Sequence, residues 1–289
     1  MARADPTVLI AGHVTHDLYG HVVAAGGGAF YGARTYLGLG ARVRLATAVG
    51  EDFGADAALA GLDVMAARAG RTTVFTNTYL PGGGGFRRAQ RVGAVAPPVV
   101  PERLPAELRE TALLHLAPVL SEIDLARWLG SVRARIVGIG VQGWVRRAGE
   151  DGIIRPLPWD AESLSGVDVA CVGEDDLVGQ DDLLDRLVAT VPIVAFTHGD
   201  RGSEIIQRGR TTRLAAYPTC EVDPTGAGDT FAAGFLLGLT RGLDPIDSAR
   251  LGAAAASIVV EARGGDALDR ISEAPARALE LSRIDHSAE

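Results

Sequence analysis

The sequence predicts an α/β protein whose fold class is a doubly wound parallel sheet. Short apolar runs of about five to seven residues alternate with helical patterns of about ten to eighteen residues, which is typical of strand–helix–strand units. The chain has 289 residues, of which 47% are hydrophobic and 22% charged. This length and composition suit one large globular domain, and we expect a single domain over residues 1–289.

The elements follow from these patterns in chain order. Apolar runs rich in β-branched residues predict strands over 7–11, 42–49, 113–117, 136–141, 167–172 and 191–197. Apolar residues at helical spacing predict helices over 52–69, 121–132, 180–189 and 231–240. Gly70 is expected to close the first of these helices.

Two segments, about 13–36 and 72–93, interrupt the alternation. Residues 72–80 are rich in β-branched and aromatic types, and Pro81 and four glycines separate them from a second run over 86–92. This pattern predicts a hairpin, although the glycine run can equally be read as a floppy loop. Neither segment fits a crossover helix, so we expect both to form a small β-lid on one side of the sheet.

The composition excludes several functions. All 28 basic residues are arginine, so enzymes that need a lysine for a Schiff base or a Walker-type phosphate loop are ruled out. The formal charge of −8 argues against nucleic acid as a partner. Apolar runs of about ten residues are too short for a membrane span, and two cysteines indicate a reducing compartment. We expect a cytoplasmic protein.

The most informative stretch is Asp223-Pro224-Thr225-Gly226-Ala227-Gly228-Asp229-Thr230, which precedes a helical pattern. Small residues at a helix start let backbone N–H groups approach an anion, and the helix dipole adds favourable charge. A carboxylate in that first turn would lie beside the anion. An anion site paired with a base suits phosphoryl transfer to an alcohol. The alternative is a glycine-rich turn in which Asp229 is an ordinary helix cap.

The segment DPTGAGDTFAAGF resembles the C-terminal signature of the ribokinase-like (PfkB) carbohydrate kinase family. Three further motifs resemble that family in the same order along the chain. Residues 12–17 match a first strand that ends in a substrate-binding aspartate, residues 26–28 match a di-glycine, and residues 197–202 match a T-x-G-x-x-G turn beside the nucleotide.

The resemblance implies a three-layer α/β/α architecture with a β-lid over the substrate. It implies ATP as co-substrate, Mg²⁺ between its phosphate oxygens, and a hydroxyl acceptor. Asp229 would be the catalytic base, assisted by the N–H groups of Gly226, Ala227 and Gly228. The substrate-binding candidates are Asp17, Gly27, Gly28, Asn77, Gln142 and Arg146. The nucleotide-binding candidates are Thr197, Gly199, Gly202, Thr225, Gly226 and Gly228. Asp223 lies where the family binds a monovalent cation such as K⁺.

The chain departs from the family pattern in two places. Many members carry Asn-x-x-Glu near the fifth strand to support the metal through water, and here the stretch is Gly173-Glu174-Asp175-Asp176. Asp176 takes the glutamate position and Glu174 can substitute by a register shift, or the acidic residues simply begin a solvated helix. Ala29-Phe30-Tyr31 replaces the asparagine that follows the di-glycine in ribokinase-type members, which disfavours ribose.

Short motifs are similar to a myo-inositol 3-kinase subgroup, in particular Gln142-Gly143-Trp144-Val145-Arg146. We therefore expect myo-inositol as acceptor, with a sugar, sugar-phosphate or nucleoside kinase as the alternative. A sugar phosphate would need cations at the lid, where Arg87, Arg88 and Arg91 lie. Arg146 can equally form a surface salt bridge, and Tyr79 can pack the lid. The alternative from a different functional class is a catalytically silent binding protein built on this fold. Lid-mediated dimerisation is common in relatives, and both monomer and homodimer stay open.

Overall fold

The computed structural model describes residues 5–54, 56–82, 85–160 and 164–287, and its strands form three sheets. The strands are β1 (Thr7–Ala11), β2 (Thr15–Tyr19), β3 (Val22–Gly26), β4 (Arg42–Gly50), β5 (Asp63–Ala69), β6 (Thr73–Gly82), β7 (Gly85–Ala94), β8 (Glu110–Leu116), β9 (Arg133–Gly140), β10 (Arg146–Ala148), β11 (Ile154–Pro156), β12 (Val169–Gly173), β13 (Ile193–Thr197), β14 (Ser203–Gln207) and β15 (Arg210–Leu214).

The main sheet has nine strands in the order β15-β14-β13-β12-β9-β8-β1-β4-β5. The strands from β13 to β5 are parallel, and β14 and β15 add an antiparallel edge. The doubly wound, mostly parallel sheet predicted from the sequence is confirmed. The chain runs outward in opposite directions from the β1/β8 pair, which makes this pair the topological switch point of the sheet.

Helices cover both faces of the main sheet. They are α1 (Gly28–Gly38), α2 (Leu125–Ser131), α3 (Leu183–Thr190), α4 (Ala227–Arg241), α5 (Pro245–Val259) and α6 (Ala274–Ser287). Alternate residues of β1 enter two separate cores: Val8 and Ile10 pack with α1, α4 and α5, while Leu9 packs with α2 and α3 on the other face. Strands buried on both faces read as continuous apolar runs, which explains why the sequence pattern located them. No helix in the described ranges combines the length and apolar character that a membrane span requires.

The lid is a separate four-stranded sheet in the order β3-β2-β6-β7. The expected hairpin is present, because β6 pairs antiparallel with β7. The expected lid segment 13–36 is wrong in its second half, where residues 28–38 form α1 and cross between the lid and the main sheet. The sequence did not indicate the start of this helix, because the run Gly26–Gly28 consists of glycine, which is a poor helix former. Lid strands β2 and β3 therefore end at Gly26.

The helix expected over 52–69 is also wrong. A single 3₁₀ turn (Asp56–Leu59) is followed by Gly61 in the left-handed region (φ 81°), and β5 then pairs parallel with β4. Alanine is frequent in this segment, and alanine favours a helix. The backbone instead completes the sheet beyond β4, because ladder pairing decides the conformation of an edge segment more strongly than intrinsic preference.

Close packing fixes α4 against its neighbour α5. A Cβ at Gly234 would lie 2.9 Å from the Cα of Gly252, so both glycines are needed for the helices to approach this closely. Asp244 caps α5 by accepting the N–H groups of Ile246 and Asp247 at 2.8 and 3.0 Å. The N-terminus of α4 is thereby held in place by a buried helix pair.

Candidate active site

Asp229 lies at the switch point of the main sheet. It belongs to the first turn of α4 and is half-buried. A Cβ at Gly28 would lie 2.7 Å from its carboxylate Oδ1 and 3.2 Å from the carbonyl oxygen of Ala117, which follows β8. Ligands of open α/β sheets bind at such a point, beyond the carboxyl ends of the strands. The structure therefore brings Asp229 and the di-glycine together, as the sequence predicts.

The start of α4 offers backbone donors beside Asp229. Gly226 precedes the helix in the left-handed conformation (φ 83°), and a Cβ there would lie 2.4 Å from the ring of Tyr31. Only glycine fits this position. The first N–H groups of a helix have no acceptor within it, so the N–H of Gly228 can serve an anion. The N–H of Ala227 differs, because it donates to the carbonyl of Pro224 at 3.2 Å.

Asp223 ties the loop before α4 to a second loop. Its Oδ1 accepts the N–H of Thr225 and its Oδ2 accepts the N–H of Gly264, both at 3.0 Å. Asp223 and Thr225 are both buried. These contacts shape the loop that leads into the helix start, and the expected monovalent-cation role of Asp223 stays a prediction.

Asp17 is the carboxylate that the lid contributes. It lies on β2, is buried, and accepts a hydrogen bond from the hydroxyl of Thr15 at 2.8 Å. A Cβ at Gly26 would lie 2.5 Å from its Oδ2, and Gly27 has a φ of 90° with no room for a side chain near the carbonyl of His13. The glycines therefore allow the backbone to approach Asp17 closely.

Tyr31 is a buried residue of α1 whose ring packs against Gly226. Burial raises the pKa of its phenol well above the ordinary value, and the charges of Asp17 and Asp229 raise it further. The charges of both carboxylates thus act on this one buried phenol. The sequence analysis noted Tyr31 only as a departure from an asparagine, and nothing in the sequence indicated that its ring packs against Gly226.

Asn77 and Arg146 both hydrogen-bond to Gln90 of the lid. Asn77 is buried on β6, and Arg146 is half-buried at the start of β10. Arg146 donates from Nε to the carbonyl of Val119 at 2.6 Å and from Nη1 to Gln90 Oε1 at 2.9 Å, and it lies over the ring of Phe75. The structure thus places Arg146 against the lid. Gln90 is a contact that the sequence analysis missed, because one glutamine in a strand carries no motif.

Of the three lid arginines and Tyr79, the structure describes the side chain of Arg91 alone. The side chain of Arg91 is exposed. The side chains of Tyr79, Arg87 and Arg88 lie outside what the structure describes, so their expected roles stay predictions.

Two acidic candidates near β12 separate in the structure. Asp176 is half-buried, accepts the N–H of Gly173 at 2.8 Å and hydrogen-bonds with the side chain of Gln142. Burial raises its pKa. Glu174 is exposed and pairs with His198 and Arg201, which lower its pKa. Asp176 is thus held by Gly173 and Gln142 beyond the carboxyl ends of β12 and β9, while Glu174 stabilises the neighbouring turn.

The turn after β13 depends on two glycines with positive φ, and its expected contact with the nucleotide stays a prediction. Thr197 ends the strand, Gly199 has a φ of 63°, and Gly202 has a φ of 92°. A Cβ at Gly202 would lie 2.0 Å from the carbonyl oxygen of Leu214. The N–H of His198 donates to the Gly202 carbonyl at 2.8 Å and closes the turn. These strained positions need glycine.

His13 anchors the base of the lid and is a second residue that the sequence analysis did not use. Its Nε2 donates to the carbonyl of Pro97 at 2.9 Å, because a carbonyl can only accept. Its Nδ1 then accepts from the Thr73 hydroxyl at 2.9 Å. Both ring nitrogens are occupied. In the described part of the chain, no group of three His, Cys, Asp or Glu side chains is placed to hold a metal directly.

Comparisons with known proteins agree with this geometry. The family model of pfkB family carbohydrate kinases matches residues 146–270. Inositol 3-kinase of Oryza sativa subsp. japonica is 48% identical over 59 residues, which are 20% of this chain and 15% of that protein. Bifunctional protein HldE of Caulobacter sp. (strain K31) is 30% identical over 261 residues, which are 83% of this chain and 52% of that protein. The matches therefore span between about one seventh and one half of these relatives.

Among solved structures, a pyrophosphate-dependent kinase of the ribokinase family, complexed with a pyrophosphate analog and myo-inositol, superposes with a TM-score of 0.78. The two chains are 22% identical, and the superposition covers 92% of this chain and 99% of that one. This likeness supports the fold, and the matched family model includes the α4 signature and Asp229. The chain therefore carries a carbohydrate kinase domain of the pfkB family.

Proposed function

We propose that this protein transfers a phosphoryl group from Mg·ATP to a hydroxyl of a small polyol or sugar, with myo-inositol as the first candidate. The observation that carries the proposal is the position of Asp229. Its carboxylate lies against Gly28 of the di-glycine at the switch point, in the first turn of α4, where the helix dipole favours an anion. A base and a helix start that favours an anion thus lie together at the switch point.

The chain's own residues account for the chemistry as follows. Asp229 accepts the proton of the attacking hydroxyl, and the N–H groups at the start of α4 stabilise the charge on the transferred group. Asp17, together with Gly27 and Gly28, holds the acceptor by taking hydrogen bonds from its other hydroxyls. Because phosphoryl transfer depends mostly on positioning and charge stabilisation, these contacts are sufficient for the reaction class.

The choice of acceptor rests on the pocket and the relatives. Two buried or half-buried carboxylates, Asp17 and Asp229, suit a neutral polyol that donates several hydrogen bonds. The rice relative is named as an inositol kinase, and the structural neighbour was solved with myo-inositol. The HldE relative supports a sugar or sugar phosphate as the second candidate. Of the lid arginines, Arg91 has an exposed side chain, which does not favour a phosphorylated acceptor.

The donor side fits magnesium and a polyphosphate. Asp176 would supply a carboxylate oxygen, and Mg²⁺ prefers oxygen ligands. Because the protein offers few ligands here, water and phosphate oxygens would complete the coordination of Mg²⁺. Bound there, Mg²⁺ would neutralise donor charge. ATP is the expected donor, and the likeness to a pyrophosphate-dependent kinase makes pyrophosphate the alternative. The buried carboxylate of Asp223 supports the proposal of a K⁺ site. A comparison of kinase activity in KCl with kinase activity in choline chloride would test it.

A coupled assay tests the proposal. ADP release with Mg·ATP would be measured against myo-inositol, hexoses, ribose and ribonucleosides, and phosphate release with Mg·pyrophosphate against the same acceptors. Preference for myo-inositol supports the proposal in full. Preference for another acceptor keeps the reaction class and replaces the substrate. If ATP binds but no acceptor reacts with either donor, the silent binding protein becomes the better description.

A further inference from the structure

A line of three polar side chains joins the lid to the body of the protein. Gln90 Nε2 donates to Asn77 Oδ1 at 2.8 Å, and Gln90 Oε1 accepts from Arg146 Nη1 at 2.9 Å. Asn77 and Gln90 are directly opposite each other on β6 and β7, so their side chains share one face of the lid. Arg146 in turn donates to the Val119 carbonyl of the body.

The chemistry of these groups decides which way each amide points. Arginine has donors and no acceptor, so Gln90 must turn its oxygen toward Arg146. Its nitrogen is then left to donate, and only the oxygen of Asn77 can accept that bond. The nitrogen of Asn77 consequently turns away from Gln90. Arg146 therefore sets the orientation of both amides through Gln90.

The outcome is a buried donor without an acceptor. Asn77 is 8% exposed, and its Nδ2 has no hydrogen-bond partner among the described residues. Native proteins rarely leave such a group unpaired, and an unpaired group calls for a ligand or water. Asn77 lies on the same lid face as Asp17, because Phe75 is the register partner of Asp17 and Asn77 is two residues further along β6.

We propose that Gln90 is a positioning residue that orients Asn77 so that its amide nitrogen donates to an oxygen of the acceptor. The inference rests on the proposed function and deepens it, because it assigns the hydrogen-bond polarity of the lid. Asp17 and Asp229 accept from acceptor hydroxyls, whereas Asn77 donates to one. The acceptor must therefore present an oxygen with a free lone pair to the lid, as a ring of hydroxyls does.

Gln90→Glu reverses this polarity with little change in shape. A carboxylate still accepts from Arg146 but cannot donate to Asn77, so the Asn77 amide turns and presents its oxygen to the pocket. We expect the KM for myo-inositol to rise roughly 10-fold, the loss typical of one hydrogen bond to a substrate, while kcat and the donor KM stay within about twofold. Asn77→Asp removes the same donor directly and should give the same KM shift.

Matched controls separate positioning from general damage to the lid. Thr78→Ala alters the exposed neighbour of Asn77 on β6 and should leave the acceptor KM unchanged. The double exchange Asn77→Gln with Gln90→Asn keeps the total length of the opposed amides and should recover part of the affinity. Monodeoxy inositols add a second readout. One analogue should lose affinity with the parent chain, and Gln90→Glu should show no further loss with that analogue.

Each outcome is decisive. A parent enzyme that phosphorylates myo-inositol, with a Gln90→Glu variant of equal acceptor KM, overturns this inference alone. Equal increases in the acceptor and donor KM values also overturn it, since they indicate a structural role. A parent chain that neither phosphorylates nor binds any acceptor, with binding measured by calorimetry, overturns the proposed function and this inference together. If Gln90→Glu fails to fold, Asn77→Asp carries the test.

Discussion

Gly28→Ala is the substitution that most directly tests the geometry around Asp229. The new methyl group would lie 2.7 Å from Asp229 Oδ1, whereas ordinary contacts of a Cβ begin near 3.4 Å. The carboxylate must therefore move by roughly 0.5–1 Å, because the carbonyl of Ala117 at 3.2 Å limits movement of the methyl group on its other side. A misplacement of about 1 Å at a reacting group can cost roughly 100-fold in rate.

The same substitution should leave the fold intact. Gly28 is the first residue of α1 and is not among the residues with positive φ, so alanine is compatible with its backbone. Replacing glycine with alanine in a helix typically stabilises it by about 0.5–1 kcal/mol. We therefore expect kcat to fall roughly 10- to 100-fold with a melting temperature equal to or above that of the parent.

Steady-state phosphorylation and a thermal melt together measure both effects. Gly130→Ala is the matched control, because Gly130 lies in α2 with open space around its Cβ position, and this variant should keep the parent kcat. A Gly28→Ala enzyme with parent turnover would refute the placement of Asp229 at the di-glycine. A large loss of melting temperature would instead show that the methyl group disturbs the core.

Three further predictions concern single side chains. Asp229→Asn should lower kcat roughly 10²- to 10⁴-fold while ATP affinity by calorimetry stays near the parent value, since only the base is removed; unchanged turnover would contradict its role. Asp17→Asn should raise the acceptor KM about 10-fold and more than the donor KM, whereas equal shifts would make Asp17 structural. Burial lowers the pKa of His115 from 6.5 to about 3. Between these pH values the imidazole is protonated in the unfolded chain and neutral in the folded chain. The free energy of unfolding therefore falls as the pH drops below 6.5. At pH 5 this costs about 2 kcal/mol relative to pH 8. His115→Gln, which can still pair with Tyr36, should remove that part of the pH dependence in urea denaturation, and equal losses in both proteins would contradict it.

The prediction of the fold succeeded where burial on both faces produces a continuous apolar run. The runs around β1, β12 and β13 are of this kind, and the sequence located each strand to within about two residues. The lid hairpin was predictable from its turn residues, since proline and glycine end strands locally. The helix start at Gly226 was predictable for the same reason.

The prediction failed where local preference and tertiary pairing disagree. Strand β5 lies at the edge of the sheet and contains alanine and an exposed aspartate, which do not favour a strand. Its conformation is set by its pairing with β4. Helix α1 begins with glycine because Gly28 must make room for Asp229, which lies about 200 residues away in the chain. In both cases, the prediction failed because a contact with another element sets the local conformation or residue type.

The sequence was sufficient for the fold class, the lid hairpin and the motif that contains Asp229, because these depend on local periodicity and on turn residues. The tertiary structure alone decided which partners the acidic residues have and how the lid amides are oriented. Glu174 and Asp176 are two residues apart, yet one pairs with His198 at the surface and the other is half-buried and hydrogen-bonds with Gln142. Gln90 becomes informative only when β7 places it between Asn77 and Arg146. Hydrogen-bond polarity is a property of neighbours in space, and spacing along the chain does not encode it.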